Sequence, residues 1–201
     1  MARVDLTFRI GGEAGQGVES GGAGLAKALA RGGYNVVGTP DYYERIRGGH
    51  NFFTVRASSE PVYAVDEDVD VLVAMDGESL TRHVQRLTAN SAIVLDETTK
   101  VPEGALNGYA GMVARLPLLR IATDNGAPVM VNTAALAAAA QLVGLDLEHI
   151  VGVIVDSFGR KGGAVVDANR KVAQTTARLT AERYGQAITP GLATRKVAPQ
   201  A

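Results

Sequence analysis

A glycine-rich turn near the start of the sequence has the residue types that bind phosphate groups in many proteins. The stretch Phe8–Pro40 reads FRIGGEAGQGVESGGAGLAKALARGGYNVVGTP, an apolar run followed by glycines and then by a helical pattern. Exposed backbone amides at the start of a helix attract anions, and glycine lets a ligand or another backbone approach closely. The turn therefore indicates either a ligand site or a tight packing contact.

Two common nucleotide fingerprints fit this turn poorly. A Walker phosphate loop needs a lysine directly after its last glycine, and Lys27 lies too far along the chain. The dinucleotide pattern G-x-G-x-x-G is matched by Gly15–Ser20 except at its last position, and no acid ends the second predicted strand, where a ribose requires one. Glu13 and Glu19 also place negative charge where a phosphate would bind. The residues alone give weak support to a standard NAD site.

A second stretch has residues that bind anions or form polar interfaces. TPDYYERIRGGHNFFTVR places Arg45, Arg47 and His50 around the pair Gly48-Gly49, just before a predicted strand. Two guanidinium groups beside exposed amides suit an anion or a partner surface. A solvated loop with a few ion pairs is the alternative interpretation.

The remaining residue types suggest no catalytic or metal site. His50, His83 and His149 lack metal-ligand spacing, and we expect His83 and His149 on solvent-facing helix surfaces. The sequence contains no G-x-S-x-G elbow and no cysteine. The lack of cysteine excludes disulfides, thiolate zinc sites, a thiol nucleophile and a cysteine-ligated iron–sulfur cluster within this chain.

Composition and charge limit the partners. The sequence has 201 residues and a formal net charge of −1 at pH 7, so no overall positive field favours nucleic acid or an anionic membrane. The opening residues MARVDLTFRI lack the apolar core of a signal peptide, and no apolar run approaches the length of about 20 residues that a membrane span needs. We expect a cytoplasmic protein.

Strand and helix patterns alternate along the first half of the chain. The strand patterns are Val4–Ile10, NVVG, NFFTVRA, DVDVLVAMD and SAIVLDE, and the helical patterns are Val18–Arg31, GESLTRHVQRL, NTAALAAAAQLVG, Leu147–Phe158 and Val165–Tyr184. We predict Asn132 as the N-cap of the alanine-rich helix and Gly144 just past its end. This order predicts a three-layer α/β/α domain with a mainly parallel central sheet over residues 1–185, followed by a linker or flexible tail over residues 186–201.

The two glycine stretches, in this order and spacing, resemble the γ subunit, or fused γ domain, of the 2-oxoacid:ferredoxin oxidoreductases. RIGGEAGQGVESGGAGLAKALARGGYNVV is similar to that family's opening glycine loop and helix. DYYERIRGGHNFFTVRASSEPVY is similar to its R-G-G strand entry. DVDVLVAMD, VNTAALAAAAQLVGL and VVDANRKV extend the resemblance to about residue 180.

The resemblance implies a role in an enzyme that oxidatively decarboxylates a 2-oxoacid such as pyruvate or 2-oxoglutarate, forms acyl-coenzyme A and reduces ferredoxin. It implies that thiamine diphosphate, magnesium and the iron–sulfur cluster are held by α and β partner subunits, and that the isolated chain is inactive. The residues that match the family's loop and R-G-G entry, or adjoin them, are predicted contacts to coenzyme A or to a partner: Gly12, Gly15, Gln16, Gly17, Arg45, Arg47, Gly48, Gly49 and His50.

Two other functions remain open from the residues. A free-standing oxidoreductase would use the turn Gly15–Ser20 for a nucleotide pyrophosphate. A purely structural module would use both glycine stretches only for contact with protein.

Overall fold

The computed structural model describes residues 3–42, 49–189 and 191–192, which form six strands and six α-helices. The strands are β1 (Asp5–Glu13), β2 (Asn35–Tyr42), β3 (His50–Ser58), β4 (Val69–Ala74), β5 (Leu87–Asp96) and β6 (Met112–Leu116). The helices are α1 (Val18–Arg31), α2 (Gly77–His83), α3 (Leu118–Asn125), α4 (Val131–Val143), α5 (Leu147–Phe158) and α6 (Gly163–Tyr184). Within the described residues, none of these helices has both the length and the apolar character that a membrane span requires.

The strands form one mixed sheet in the order β2-β3-β1-β4-β5-β6. The pairs β1–β4, β4–β5 and β5–β6 are parallel, whereas β3 runs antiparallel to both of its neighbours. Only residues 43–49 connect β2 to β3, and a parallel connection needs a crossover of about a dozen residues or more. The predicted α/β class with a mostly parallel sheet is confirmed, and the short connection explains the antiparallel strand.

The two faces of the sheet are covered unequally. Helices α1, α4, α5 and α6 lie on the face to which Phe8 and Val71 point. Helix α2 and the segment 101–109 lie on the opposite face, against Leu72 and Ile93. The sheet is therefore the middle of three layers, and one outer layer holds most of the helical residues.

Helix α4 is buried on almost every side because its sequence is apolar on every side. Its run of small side chains, VNTAALAAAAQLV, lets the helix backbone approach α6 and the sheet closely. Gly144 ends the helix in the left-handed region, with φ 72°, as the sequence predicted. The helix starts at Val131. Its N-terminus lies near the carboxyl edge of the parallel strands, close to Met75 and Asp96.

One glycine of α1 is required by packing, which gives a stability test. A Cβ at Gly22 would lie 2.1 Å from Cγ of Phe53, whereas a Cβ at Gly24 would make an ordinary 3.5 Å contact with Cγ1 of Val153. Gly22→Ala should therefore lower the free energy of unfolding by about 2–3 kcal/mol through overpacking. The control Gly24→Ala should leave it unchanged or raise it by up to about 1 kcal/mol. Urea unfolding followed by circular dichroism measures both, and equal losses would contradict the packing argument.

The sequence patterns missed β6 and α3. Strand β6 has five residues, MVARL, and α3 has eight, LLRIATDN. Segments this short show too few repeats for strand and helix periods to be distinguished.

The described structure continues past residue 185, where the sequence placed the domain boundary. The backbone N–H groups of Ala187 and Ile188 donate to the carbonyl of Leu142, and that of Leu192 donates to the carbonyl of Val143. Ile188 and Leu192 are only 3% and 1% exposed. Two isolated apolar residues among polar ones gave no periodic signal, and residues 193–201 of the predicted tail lie outside the described residues.

Candidate ligand site at the glycine turn

The glycine turn lies at the carboxyl edge of the parallel strands. It joins the end of β1 to the start of α1, beside Met75 after β4 and Asp96 at the end of β5. Strand β1 leads through α1 to β2 on one side of the sheet, while β4 lies on the other side. Ligands of open α/β sheets bind at such a reversal of strand order. The fold therefore places the predicted turn where a ligand is expected.

The turn closes on itself through Gln16. The Gln16 side-chain oxygen accepts from the backbone N–H of Glu13 at 2.8 Å, and the Gln16 backbone N–H donates to the Glu13 carbonyl at 3.0 Å. Gly15 and Gly17 have φ values of 102° and 75°, which favour glycine. Gly17 is the N-cap of α1 and provides no side-chain cap. The first N–H groups of this helix are thus available to a ligand.

Gly12 belongs to β1 rather than to the turn. A Cβ at this position would lie 2.5 Å from Oε1 of Gln16 and 2.9 Å from Cβ of Met75. Gly12 therefore allows the turn to fold back over the strand end, and it is absent from the residues that line the cavity described next.

A cavity of about 740 Å³ opens on the turn. This volume lies within the range of small-molecule sites, about 300–1,000 Å³. The polar side of the lining includes Gln16, Ser20, Asn132, Thr98 and Thr99. Helices α4, α5 and α6 contribute an apolar wall, Leu136, Ile150, Val153, Ile154, Phe158 and Val165, together with the polar residues Ser157 and Asn169. The cavity suits a ligand that has both polar and apolar parts.

Three helices begin at this cavity without a side-chain cap. The N-caps are Gly17 for α1, Met130 for α4 and Gly162 for α6, and none makes a capping side-chain hydrogen bond. Residues of the first turns of all three helices line the cavity. Helix N-termini carry partial positive charge, so together they favour an anionic group. The N–H of Val131 in α4 already donates to the Pro128 carbonyl and that of Val165 in α6 to the Gly162 carbonyl, so α1 offers the freest donors.

The side-chain charges around the cavity are few. Among the described residues that line it, none is Lys, Arg or His, and Asp96 is the acid. The Asp96 carboxylate already accepts from the backbone N–H of Thr98 at 2.9 Å and from that of Leu119 at 2.8 Å. Asp96 therefore fixes the start of α3, and backbone amides are the anion-binding groups that the described lining offers.

A second cavity of about 500 Å³ lies on the other side of the turn. The aromatic residues Tyr42, Phe52 and Phe53 line it together with Glu13 and Glu19. Two carboxylates make this side less favourable for a phosphate than the larger cavity.

The structure brings the two predicted glycine stretches together. The Ala14 N–H donates to the Gly49 carbonyl at 2.9 Å, which ties the turn to the entry of β3. Arg45, Arg47 and Gly48 lie outside the described residues, so their roles remain predictions.

His50 forms a buried pair with His83 on the face of the sheet that carries α2. The two Nε2 atoms are 2.8 Å apart, and each residue is 2% exposed. The expectation that His83 faces solvent is therefore wrong, because His83, the last residue of α2, packs against the ring of Phe52. His50 is also absent from the described lining of both cavities, which does not favour direct ligand contact.

The histidine pair should make stability depend on pH. Burial, with a smaller contribution from Arg9, lowers the pKa of His83 from 6.5 to about 3, and burial also lowers the pKa of His50. The unfolded chain therefore binds more protons below pH 6.5, and the free energy of unfolding falls as pH falls. His83 alone should remove about 2 kcal/mol between pH 7 and pH 5.

Urea unfolding of the wild type and of His83→Gln at both pH values measures this effect. The variant should lose less stability on acidification than the wild type does. An identical pH dependence in wild type and His83→Gln would contradict the assignment.

The strand order also bears on the dinucleotide alternative. Strand β2 extends to Tyr42 and includes Asp41 near its end, so the statement that no acid ends the second strand is wrong. However, β3 separates β2 from β1, whereas a dinucleotide fold places the second strand directly beside the first. Asp41 is thus two strands from the turn, and the topology does not favour NAD.

Several residues of the site gave no signal in the sequence. The prediction that Asn132 caps α4 is wrong, because the N-cap is Met130 and the Asn132 side chain instead donates to the Gln16 carbonyl at 2.7 Å. The sequence predicted α5 and α6 as helices but gave no indication that their side chains line a cavity. Asp96 could have been found, since it ends a predicted buried strand at the edge where ligands bind.

These features define a doubly wound α/β domain with a ligand cavity at the reversal of its strand order. The chain belongs to the pyruvate ferredoxin/flavodoxin oxidoreductase family, whose family model matches residues 7–179.

Relatives with assigned functions are similar over most of this chain. It is 28% identical over 159 residues to the alpha subunit of 2-oxoacid:ferredoxin oxidoreductase 2 from Aeropyrum pernix, which covers 78% of this chain and 25% of the relative. The chain thus spans about a quarter of that relative's length.

Two solved structures are similar. The 2-oxoglutarate:ferredoxin oxidoreductase from Magnetococcus marinus, with 2-oxoglutarate, coenzyme A and succinyl-CoA bound, matches with TM-score 0.81 and 28% identity over 96% of this chain and 33% of that chain. Pyruvate oxidoreductase subunit PORC from Thermotoga maritima matches with TM-score 0.71 and 28% identity over 87% of this chain and 96% of that subunit.

Proposed function

We propose that this chain is the γ component of a thiamine-diphosphate-dependent 2-oxoacid:ferredoxin oxidoreductase and that its larger cavity receives coenzyme A. In this role the chain packs against α and β partner subunits, and the assembly converts a 2-oxoacid to acyl-coenzyme A while reducing ferredoxin. The observation that carries the proposal is the cavity at the glycine turn, in a family with a solved relative that contains coenzyme A.

The polarity of the cavity fits the parts of coenzyme A. A diphosphate would bind the free N–H groups at the start of α1, where the helix terminus favours negative charge. The apolar wall, including Ile150 and Phe158, would contact the less polar parts of the molecule. Ser20 and Asn132 lie on the polar side, where they can contact the ligand or support the turn.

The residues of this chain do not fit the redox cofactors of the proposed reaction. The sequence has no cysteine to bind an iron–sulfur cluster. Among the described residues, no group of three or more His, Asp or Glu side chains is arranged to hold a metal ion. We therefore assign thiamine diphosphate, magnesium and the cluster to the partner subunits, and we propose a cytoplasmic location for the assembly.

The role predicted for Arg45, Arg47 and Gly48 is part of this proposal. The hydrogen bond from the Ala14 N–H to the Gly49 carbonyl ties the last glycine of the R-G-G entry to the turn, beside the second cavity, which Ala14 lines. We propose that the two arginines contact the ligand or a partner subunit near the turn. They would supply charge that the backbone amides do not.

Calorimetric titration of coenzyme A tests the proposal. The native complex should be purified with its partners and compared with the partner subunits alone. We expect the complex to bind coenzyme A at least about tenfold more tightly, since even about 1.4 kcal/mol of added contact gives that factor. Equal affinities would contradict a coenzyme A site on this chain and favour the purely structural module.

A further inference from the structure

The glycine turn is connected to the rest of the protein by only a few contacts. Within the turn, the Glu13 carbonyl accepts from Gln16 and the Gly17 carbonyl accepts from Gly21 and Ser20. Apart from the β1–β3 ladder, two hydrogen bonds among the described residues join residues 14–17 to distant parts of the chain. One runs from Ala14 to Gly49, and the other runs from the Asn132 side chain to the Gln16 carbonyl at 2.7 Å.

We propose that Asn132 is a positioning residue, which holds the glycine turn in the conformation that binds the anionic part of the ligand. The role in ligand binding rests on the proposed function, whereas the role in fixing the turn does not. Asn132 lies 116 positions from Gln16 in sequence and belongs to α4, so its amide joins two helices that begin at the same cavity.

The position of this bond explains how it would act. A peptide group is planar, and the carbonyl of one residue and the N–H of the next point in opposite directions. Fixing the Gln16 carbonyl therefore also fixes the direction of the Gly17 N–H. Because the Gln16 side chain is held by the Glu13 N–H at 2.8 Å, this residue is restrained at both its side chain and its carbonyl.

Steric contacts support the same assignment. A Cβ at Gly17 would lie 2.2 Å from Nδ2 of Asn132. The amide group thus occupies the space beside the N-cap of α1, and a displacement of either residue would move the other. The Asn132 side chain does not cap its own helix, α4. The N-cap of α4 is Met130, which makes no side-chain capping hydrogen bond.

Asn132→Asp gives a sharp test because aspartate keeps the shape of asparagine. When ionised it has no donor for the Gln16 carbonyl, but when protonated its O–H can donate. At pH 8 we expect coenzyme A to bind the variant complex about tenfold more weakly than the wild type, the effect of losing one hydrogen bond to a partly buried acceptor. At the same pH the KM for the 2-oxoacid should stay unchanged.

Asn125→Asp is the matched control. Asn125 donates its side-chain N–H to the Ile121 carbonyl at 2.9 Å within α3, and it does not line the cavity. This variant should bind coenzyme A as the wild type does.

Hydrogen exchange supplies a readout that does not need the ligand. In Asn132→Asp at pH 8, the protection of the Gln16 and Gly21 amides, which donate within the turn, should fall about tenfold, and in Asn125→Asp it should not change. Unchanged protection in Asn132→Asp would overturn the positioning role whatever the complex binds. Reduced protection together with no coenzyme A binding by the wild type would keep the positioning role and contradict the proposed function.

Discussion

Gly17→Ala should weaken coenzyme A binding to the assembled complex by about 30-fold. The residue has φ 75°, and its Cβ would lie 2.2 Å from Nδ2 of Asn132. The left-handed conformation costs a residue with a Cβ about 1–2 kcal/mol, and the overlap adds about 1–3 kcal/mol if the turn keeps its shape. The turn of the free variant would therefore relax to a different conformation. Restoring the original conformation for the ligand would cost about 2 kcal/mol of binding free energy, which is about 30-fold in affinity.

Gly15→Ala separates the two causes. Gly15 has φ 102°, but no atom lies within 4 Å of the position of its Cβ. This variant has the backbone strain without the overlap, so we expect a loss of only several-fold in affinity, measured by the same calorimetric titration. Equal affinity losses in Gly15→Ala and Gly17→Ala would contradict the importance of the contact with Asn132, and no loss in either would contradict a ligand site at the turn.

The isolated chain should show no oxidation of 2-oxoacids when thiamine diphosphate, magnesium, coenzyme A and ferredoxin are supplied. It lacks cysteine ligands for a cluster, and its described residues have no cluster of metal ligands. Adding the chain to its partner subunits should raise the rate at low coenzyme A concentration by roughly a hundredfold. That factor corresponds to about 3 kcal/mol of binding from helix N-termini and charged hydrogen bonds.

Steady-state assays of ferredoxin reduction over a range of coenzyme A concentrations measure this effect. The gain should disappear as coenzyme A saturates, because the chain is expected to contribute binding rather than chemistry. Turnover by the isolated chain would contradict this division of roles, and so would a gain that is independent of coenzyme A concentration.

Local patterns predicted the parts of the fold that depend on local physics. Helix α1 and helix α5 have the predicted bounds, since their apolar residues recur at helical spacing. The αL conformation of Gly144 followed from a glycine at the end of an apolar run. Periodicity gave no information on the direction of β3, which depends on the length of the connection before it.

The candidate site was predicted only where it is continuous in sequence. The glycine turn was recognised from spacing within a few residues. The cavity also needs α4, α5 and α6, which come from the second half of the chain and meet the turn only after folding. The direction of the Asn132 side chain shows the same limit, because a helix-start asparagine is normally read as a cap, whereas here the nearby Gln16 carbonyl accepts its hydrogen bond.

The most direct measurement is a structure of the assembled complex determined with coenzyme A present. The account predicts density for the diphosphate beside the backbone amides at the start of α1, close to Gly17 and Ser20, with the rest of the molecule along the wall formed by α5 and α6. Coenzyme A bound entirely to the partner subunits, with this cavity filled by a partner side chain or by water, would contradict it.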